Sequence, residues 1–200
     1  HKDKRQSMKA CFMGLGYIGL PTAIIAAKHG IDIAGVDINP KVVEMTNQGK
    51  LHIVEPGIEE MLKEVVANGK FRAYTKPQQS DAYFIVVPTP FKNGHQPDVS
   101  YVENATRMII PLLKKGDLFV IESTSPVGTT DKMSEIIFAR RPELRGKLHI
   151  AYCPERVLPG NVIYELEHND RVIGGIDEES VEHAKQFYSK FVTGCLHTTN

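Results

Sequence analysis

The sequence has 200 residues, 42% of them hydrophobic, with 24 basic against 24 acidic side chains. That composition is ordinary for a globular domain with a core of its own, and zero net charge gives no electrostatic case for nucleic acid or an anionic membrane. No apolar run approaches the roughly 20 residues of a membrane span, and three cysteines (Cys11, Cys153, Cys195) without metal spacing point to a reducing, cytoplasmic setting with no disulfide framework.

The first seven residues, HKDKRQS, are polar and precede Met8; they read as a vector-derived or disordered leader, with no signal peptide, and residues 8–200 read as one domain. Ala10–Met13 is a short apolar run that stops at Gly14-Leu15-Gly16-Tyr17-Ile18-Gly19. A small-residue helical pattern over Thr22–His29 follows, then Gly30 and a second apolar run, Ile31–Val36, which ends in Asp37. Strand, glycine turn, helix, strand and acid form the unit that grips a dinucleotide. Gly14 makes the tight turn, Gly16 lets the backbone approach a pyrophosphate, and Gly19 lets the helix pack on the sheet. The phosphates belong at the helix N-terminus, where unpaired N–H groups and the dipole favour anions. Asp37, 23 residues past Gly14, is placed to bind ribose hydroxyls and to repel a 2′-phosphate, so NAD is favoured over NADP.

Asn39-Pro40 opens a helix to Gly49, a capping residue followed by proline at the first helical position. Lys41 either reaches the adenosine side of the cofactor or is a solvated helix lysine. Ile58–Ala67 shows 3.6-residue periodicity and ends at Asn68-Gly69. Phe71–Tyr74 is a strand, and Ala82–Val87 is a continuous apolar run of the kind a doubly covered parallel strand needs. A loop from Pro90 to Pro97 leads to a helix over Ser100–Leu113. Leu118–Ile121 is a strand, Thr130–Arg140 a helix, Leu148–Tyr152 a strand, and Asn161–His168 one or two helical turns. Arg171–Gly174, Glu178–Phe191 and Cys195–Thr198 follow as strand, helix and strand. This alternation predicts an α/β fold with a doubly wound parallel sheet, Rossmann-like, whose strand ends hold the ligand.

Four polar loops would then share the carboxyl edge: Gly14–Gly19, Pro88–Pro90, Glu122–Gly128 and Cys153–Gly160. Pro88, Thr89 and Thr124 are candidates for cofactor contact, though small hydroxyl residues there also serve as caps. Cys153 is a nucleophile only in an electropositive, partly exposed setting, and otherwise an inert core thiol. Glu155 is either a crevice carboxylate or a solvated loop residue. The eight histidines show no ligand spacing, so no metal is expected.

The ordered motifs GLGYIGLP, VDINPKV, HIVEPG, VPTPF, PDVSYVENA, ESTSPVGTT, YCPERVLPG and NDRVIGG resemble the nucleotide-sugar 6-dehydrogenases, the UDP-glucose/GDP-mannose dehydrogenase superfamily, from Met8 to Asn200. The resemblance implies a four-electron oxidation of a sugar C6 alcohol to a carboxylate with two NAD, on a UDP-amino sugar. It implies NAD contacts from Tyr17, Ile18, Asp37, Thr89 and Thr124, and help with hydrolysis from Glu155. Arg156, Val157 and Leu158 would line the nucleotide-sugar site. The family's nucleophilic cysteine lies in a downstream GxGGxC segment, and its lysine and asparagine on a long central helix that also forms a homodimer. None of these is present before Asn200. The expectation is therefore an N-terminal domain that binds NAD and does not turn over substrate alone. Another sugar dehydrogenase acting on UDP-glucose, UDP-N-acetylglucosamine or GDP-mannose, an ordinary two-electron dehydrogenase and a non-catalytic dinucleotide sensor are the rival readings.

Overall fold

The computed structural model describes residues 8–92, 94–155 and 160–199. Four short apolar segments build the centre of the sheet: β1 (Lys9–Met13), β2 (Asp32–Val36), β4 (Ala82–Ile85) and β7 (Leu118–Ile121). All four residues of β4 and of β7 are buried, as expected for strands covered by helices on both faces. With β3 (Phe71–Tyr74), β8 (His149–Tyr152), β9 (Arg171–Gly175) and β10 (Leu196–Thr198) they form one sheet ordered β10-β9-β8-β7-β4-β1-β2-β3.

The pleat divides each strand between two cores. Ala10 and Phe12 of β1 face a core closed by α1 (Gly19–Lys28), α3 (Ile58–Ala67), α6 (Val162–His168) and α7 (Glu178–Tyr188). Cys11 and Met13 face the other, closed by α4 (Ser100–Ile109) and α5 (Thr129–Arg140). The remaining helix, α2 (Pro40–Asn47), opens at Asn39, whose Oδ1 accepts from Lys41 N at 3.0 Å. In the first core Phe84 stacks on Phe12 with centroids 4.7 Å apart and meets Phe187 of α7 at 4.4 Å.

Most of the expected elements form, and the differences have local causes. Helix α1 begins at Gly19, earlier than the small-residue pattern indicates. Helix α4 gives way to a 3-10 turn over Ile110–Leu112, because Pro111 has no N–H to continue the ladder. The stretch read as a loop after Pro90 contains a two-stranded hairpin, β5 (Phe91–Lys92) with β6 (Gln96–Pro97).

One difference changes the topology. Strand β9 pairs with β8 antiparallel, Ala151 opposite Gly175 and Tyr152 opposite Gly174. The sheet is mostly parallel and not wholly so. The segment between these strands returns to the carboxyl edge, so β9 enters from that side and its first residue, Arg171, lies beyond the end of β8.

Removing the ring at the centre of the aromatic stack leaves a void that backbone on all sides prevents from closing. Phe84→Ala should cost about 3–5 kcal/mol, read as a lower urea midpoint with an unchanged slope.

Candidate functional site

The glycine turn is built by two close approaches and one open position. Gly14 has φ +116°, its N–H donates to Val36 O at 2.8 Å, and a Cβ there would stand 2.8 Å from Val86 O. Only glycine fits. A Cβ on Gly19 would lie 2.3 Å from Gly14 O, so the first turn of α1 can sit on the turn only without a side chain. At Gly16 the same construction meets nothing within 4 Å, and the open space is on the exposed side of the loop. Helix α1 has no side-chain cap, with Ile18 in the capping position; Leu20 N donates to Gly16 O at 3.1 Å, so the N–H groups left to face an anion are those ahead of it.

Asp37 follows β2 directly and is locked against this turn. Its Oδ2 accepts from Leu15 N at 3.3 Å and its Oδ1 from Asn39 N at 2.9 Å. Each oxygen retains a lone pair for a ribose hydroxyl. Lys41 is exposed on the first turn of α2, with its backbone amide committed to the cap.

Tyr17 connects the turn to two other loops through a residue the sequence reading did not single out. Its hydroxyl donates to Glu55 Oε1 at 2.6 Å, and Gly160 N donates to the same oxygen at 3.0 Å. Burial works against the Glu55 carboxylate. Hydrogen bonds from Tyr17, Gly160 and Val162 outweigh it and hold the carboxyl below its usual value. Glu55 is thus a staple between the glycine turn, the HIVEPG loop and the end of the loop after β8. Its only signal in the sequence was a place in that motif.

The β4 and β7 loops are tied by hydroxyls. Thr89 Oγ1 donates to Thr124 O at 2.7 Å, and Ser123 Oγ to Val87 O at 2.6 Å. Thr89 therefore has a structural bond as well as a place on the edge, with exposed Pro88 before it and exposed Thr124 across from it. Two strands over from the glycine turn, a cleft of about 400 Å³ lies among Ser123, Ser125, Thr129, Tyr152, Pro154 and Gly175.

Glu155 is not a solvated loop residue. It is buried, with Oε2 3.0 Å from Arg171 Nη1. Arg171 also stands 3.8 Å from Glu122 Oε1, donates through Nη2 to Leu166 O at 3.2 Å, and lies over the Tyr188 ring at 5.0 Å. Tyr188 in turn donates to Glu122 Oε1 at 2.5 Å. Glu122, expected as the start of a polar loop, is instead a core residue beneath the end of β7, and its Oε2 has no hydrogen-bond partner among the described residues. Desolvation raises the Glu122 carboxyl above its usual range despite Arg171 and Tyr188. Burial likewise pushes the Cys153 thiol up to about 12, which makes it a core thiol and not a nucleophile. Glu122, Arg171 and Tyr188 went unrecognised in the sequence, where only a carboxylate closing a buried strand and an arginine opening one hinted at them. Arg156, Val157 and Leu158 lie outside the described residues.

Comparison with known proteins agrees with this geometry. The UDP-glucose/GDP-mannose dehydrogenase family, NAD binding domain, matches residues 8–192. A UDP-N-acetyl-D-mannosamine dehydrogenase of Escherichia coli K12 is 49% identical over 94% of this chain and 47% of its own length. An NDP-N-acetyl-D-galactosaminuronic acid dehydrogenase of Ralstonia nicotianae is 48% identical over 93% and 46%. The solved UDP-N-acetyl-mannosamine dehydrogenase of Staphylococcus aureus superposes with a TM-score of 0.92 at 40% identity, over 96% of this chain and 47% of that one. The chain spans about half the length of the curated relatives it matches.

The ion network makes a signed prediction. Glu122 has a raised carboxyl in the folded state, so its contribution to stability is full below the unfolded glutamate value, about 4.3, and is lost as pH rises through the folded value. Glu122→Gln should therefore gain on the wild type in urea-unfolding free energy as pH rises above the unfolded glutamate value. Arg171→Met, which removes the guanidinium facing two buried carboxylates, should lose about 3–5 kcal/mol at neutral pH and less in acid.

Proposed function

The chain belongs to the UDP-glucose/GDP-mannose dehydrogenase family as its NAD-binding domain, and from that premise we propose that it is the cofactor half of a UDP-N-acetyl-D-mannosamine 6-dehydrogenase. The observation that carries the cofactor assignment is Asp37, held by Leu15 N and Asn39 N beside a glycine turn whose one open position is Gly16. The residues present fit the dinucleotide: an uncapped helix start for the pyrophosphate, a fixed carboxylate for the ribose, and room for close approach at Gly16.

When bound, NAD supplies a hydride acceptor. Over two oxidations the balance is R–CH2OH + 2 NAD+ + H2O giving R–COO− + 2 NADH + 3 H+. In this reading the chain's own residues bind and orient. Asp37 accepts from the adenosine ribose and disfavours a 2′-phosphate. The backbone of Gly16 to Gly19 receives the pyrophosphate, while Tyr17 is held by Glu55 where it shapes the floor of the crevice. Pro88, Thr89 and Thr124 form the wall beyond β4 and β7, and Lys41 approaches the adenosine side from α2. Glu155 assists the attack of water on the acyl intermediate, and its bond to Arg171 fixes the carboxylate it would use. Arg156, Val157 and Leu158 contact the nucleotide sugar. The reacting cysteine and the homodimer contact belong to the other half of the full-length protein, which works in the cytoplasm.

A second substrate assignment has a specific basis: the galactosaminuronic acid dehydrogenase relative matches as well as the mannosamine one, and both names specify N-acetylated amino sugars.

Calorimetric titration with NAD and NADP tests the cofactor half. NAD should bind and NADP should not, and Asp37→Ala should weaken NAD by about tenfold or more while narrowing the preference, since a hydrogen bond to a charged group is worth roughly 1.5–3 kcal/mol. A folded chain that binds neither dinucleotide overturns the reading. In the full-length enzyme, a panel of UDP-N-acetylmannosamine, UDP-N-acetylgalactosamine, UDP-N-acetylglucosamine and UDP-glucose should give the highest kcat/KM with the first.

A further inference from the structure

The amino edge of the sheet, opposite the glycine turn, carries a second cluster of chemistry. Strand β8 starts at His149, and α7 passes over it with Glu179 and His183 one helical turn apart. One ligand-capable atom from each of the three lies within 4.8 Å of the other two. The two imidazoles are stacked, centroids 3.5 Å apart and planes 10° from parallel. Nothing in the cofactor chemistry uses these residues, which lie on the far side of the sheet from Asp37.

The local packing suits these side chains to act as ligands. His183 Nδ1 is 2.9 Å from Glu179 O, in place to donate, and that tautomer leaves the lone pair on Nε2. An imidazole with its outer N–H given to a carbonyl is the arrangement that metal-bound histidines adopt. His149 is partly buried at the start of β8, where its ring faces that of His183. A neutral ring with a free lone pair is the form that binds a cation. The two elements are also fixed to each other, since Ile150 N donates to Ser180 Oγ at 2.9 Å and Asp177 caps α7 through Ser180 N at 2.7 Å.

We infer that His149, Glu179 and His183 form a binding site for a divalent transition-metal ion of the zinc type, with three protein ligands and a position left for water. Two imidazoles and one carboxylate are the donors that borderline ions prefer, whereas magnesium and calcium need more oxygen than Glu179 alone supplies. Coordination asks the ring planes to open from their stack so that both lone pairs converge on one point. The ion then ties the start of β8 to the middle of α7. Sequence spacing concealed the site: Glu179 and His183 are four apart on a helix, but His149 comes from a strand far upstream, so the histidines looked scattered.

Zinc titrated into the chain in a non-chelating buffer near pH 7.5 tests this, followed by calorimetry and by thermal unfolding. One ion should bind per chain, and Tm should rise by about 5–10 °C at a hundredfold excess over Kd. His183→Ala, a surface substitution that favours helix, should weaken zinc by about a hundredfold, at or beyond the ~10–100-fold typical of losing an outer partner. Glu179→Gln should weaken it in the same direction. His197→Ala disrupts the exposed Asp170, Cys195 and His197 cluster beside β10, and should leave the affinity unchanged. Magnesium should give no heat. Absence of zinc binding, or binding that survives His183→Ala and is lost in His197→Ala, overturns the assignment.

Discussion

A single guanidinium organises the far half of the carboxyl edge. Arg171 is 1% exposed at its side chain and sits between Glu155 at the end of β8 and Glu122 at the end of β7, with Tyr188 of α7 beneath. A buried cation of this kind is tolerable only where carboxylates and carbonyls surround it. The direction of β9 supplies them. Run parallel to β8, this strand would present Gly175 at the edge and leave Arg171 at the opposite one. Run antiparallel, it delivers the arginine to the two glutamates. The break in parallel topology and the charge cluster are therefore one arrangement.

The near half of the edge is held by a different device. Glu55 gathers donors from the glycine turn and from the segment after β8, so that the loop carrying Tyr17 and the loop ending at Gly160 share one acceptor. Between the two halves, Thr89 and Ser123 bond across from the β4 loop to the β7 loop. Loops that would otherwise move independently are cross-linked by side chains, with the backbone of the glycine turn as the fixed reference. That preorganisation is what a dinucleotide site needs, because the ordering is done before the ligand arrives.

The dinucleotide unit was legible in the sequence because its physics is local. Gly14, Gly16 and Gly19 fall at fixed offsets within one turn, and Asp37 follows its strand directly. Apolar runs such as Ala82–Ile85 were legible too, since burial on both faces leaves no polar position. What could not be read was contact between distant segments. Glu122 looked like the first residue of a loop because a carboxylate after an apolar run ordinarily is one. Only the approach of Arg171, from a strand whose direction no periodicity encodes, makes its burial possible. Glu155 was placed at the right edge but with its environment undecided, and the same arginine settles that it is buried. The histidines of β8 and α7 meet for a similar reason: a helix packed over a strand brings together residues that spacing keeps apart.

Two buried glutamates on this edge are perturbed in opposite directions, and counting donors explains why. Glu55 receives hydrogen bonds from a tyrosine hydroxyl and two backbone amides, enough to overcome its desolvation, so its carboxyl is lowered. Glu122 receives one tyrosine hydroxyl and a guanidinium at 3.8 Å, with Oε2 unpartnered, so desolvation wins and its carboxyl is raised. The linkage signs follow. The stability from Glu55 is present above the unfolded glutamate value and is lost as pH falls through its folded value, whereas that from Glu122 is lost as pH rises. The edge is thus pulled from both sides. Arg171 stands between these influences, 3.0 Å from Glu155 and 3.8 Å from Glu122, so it offsets the burial of Glu122 only in part.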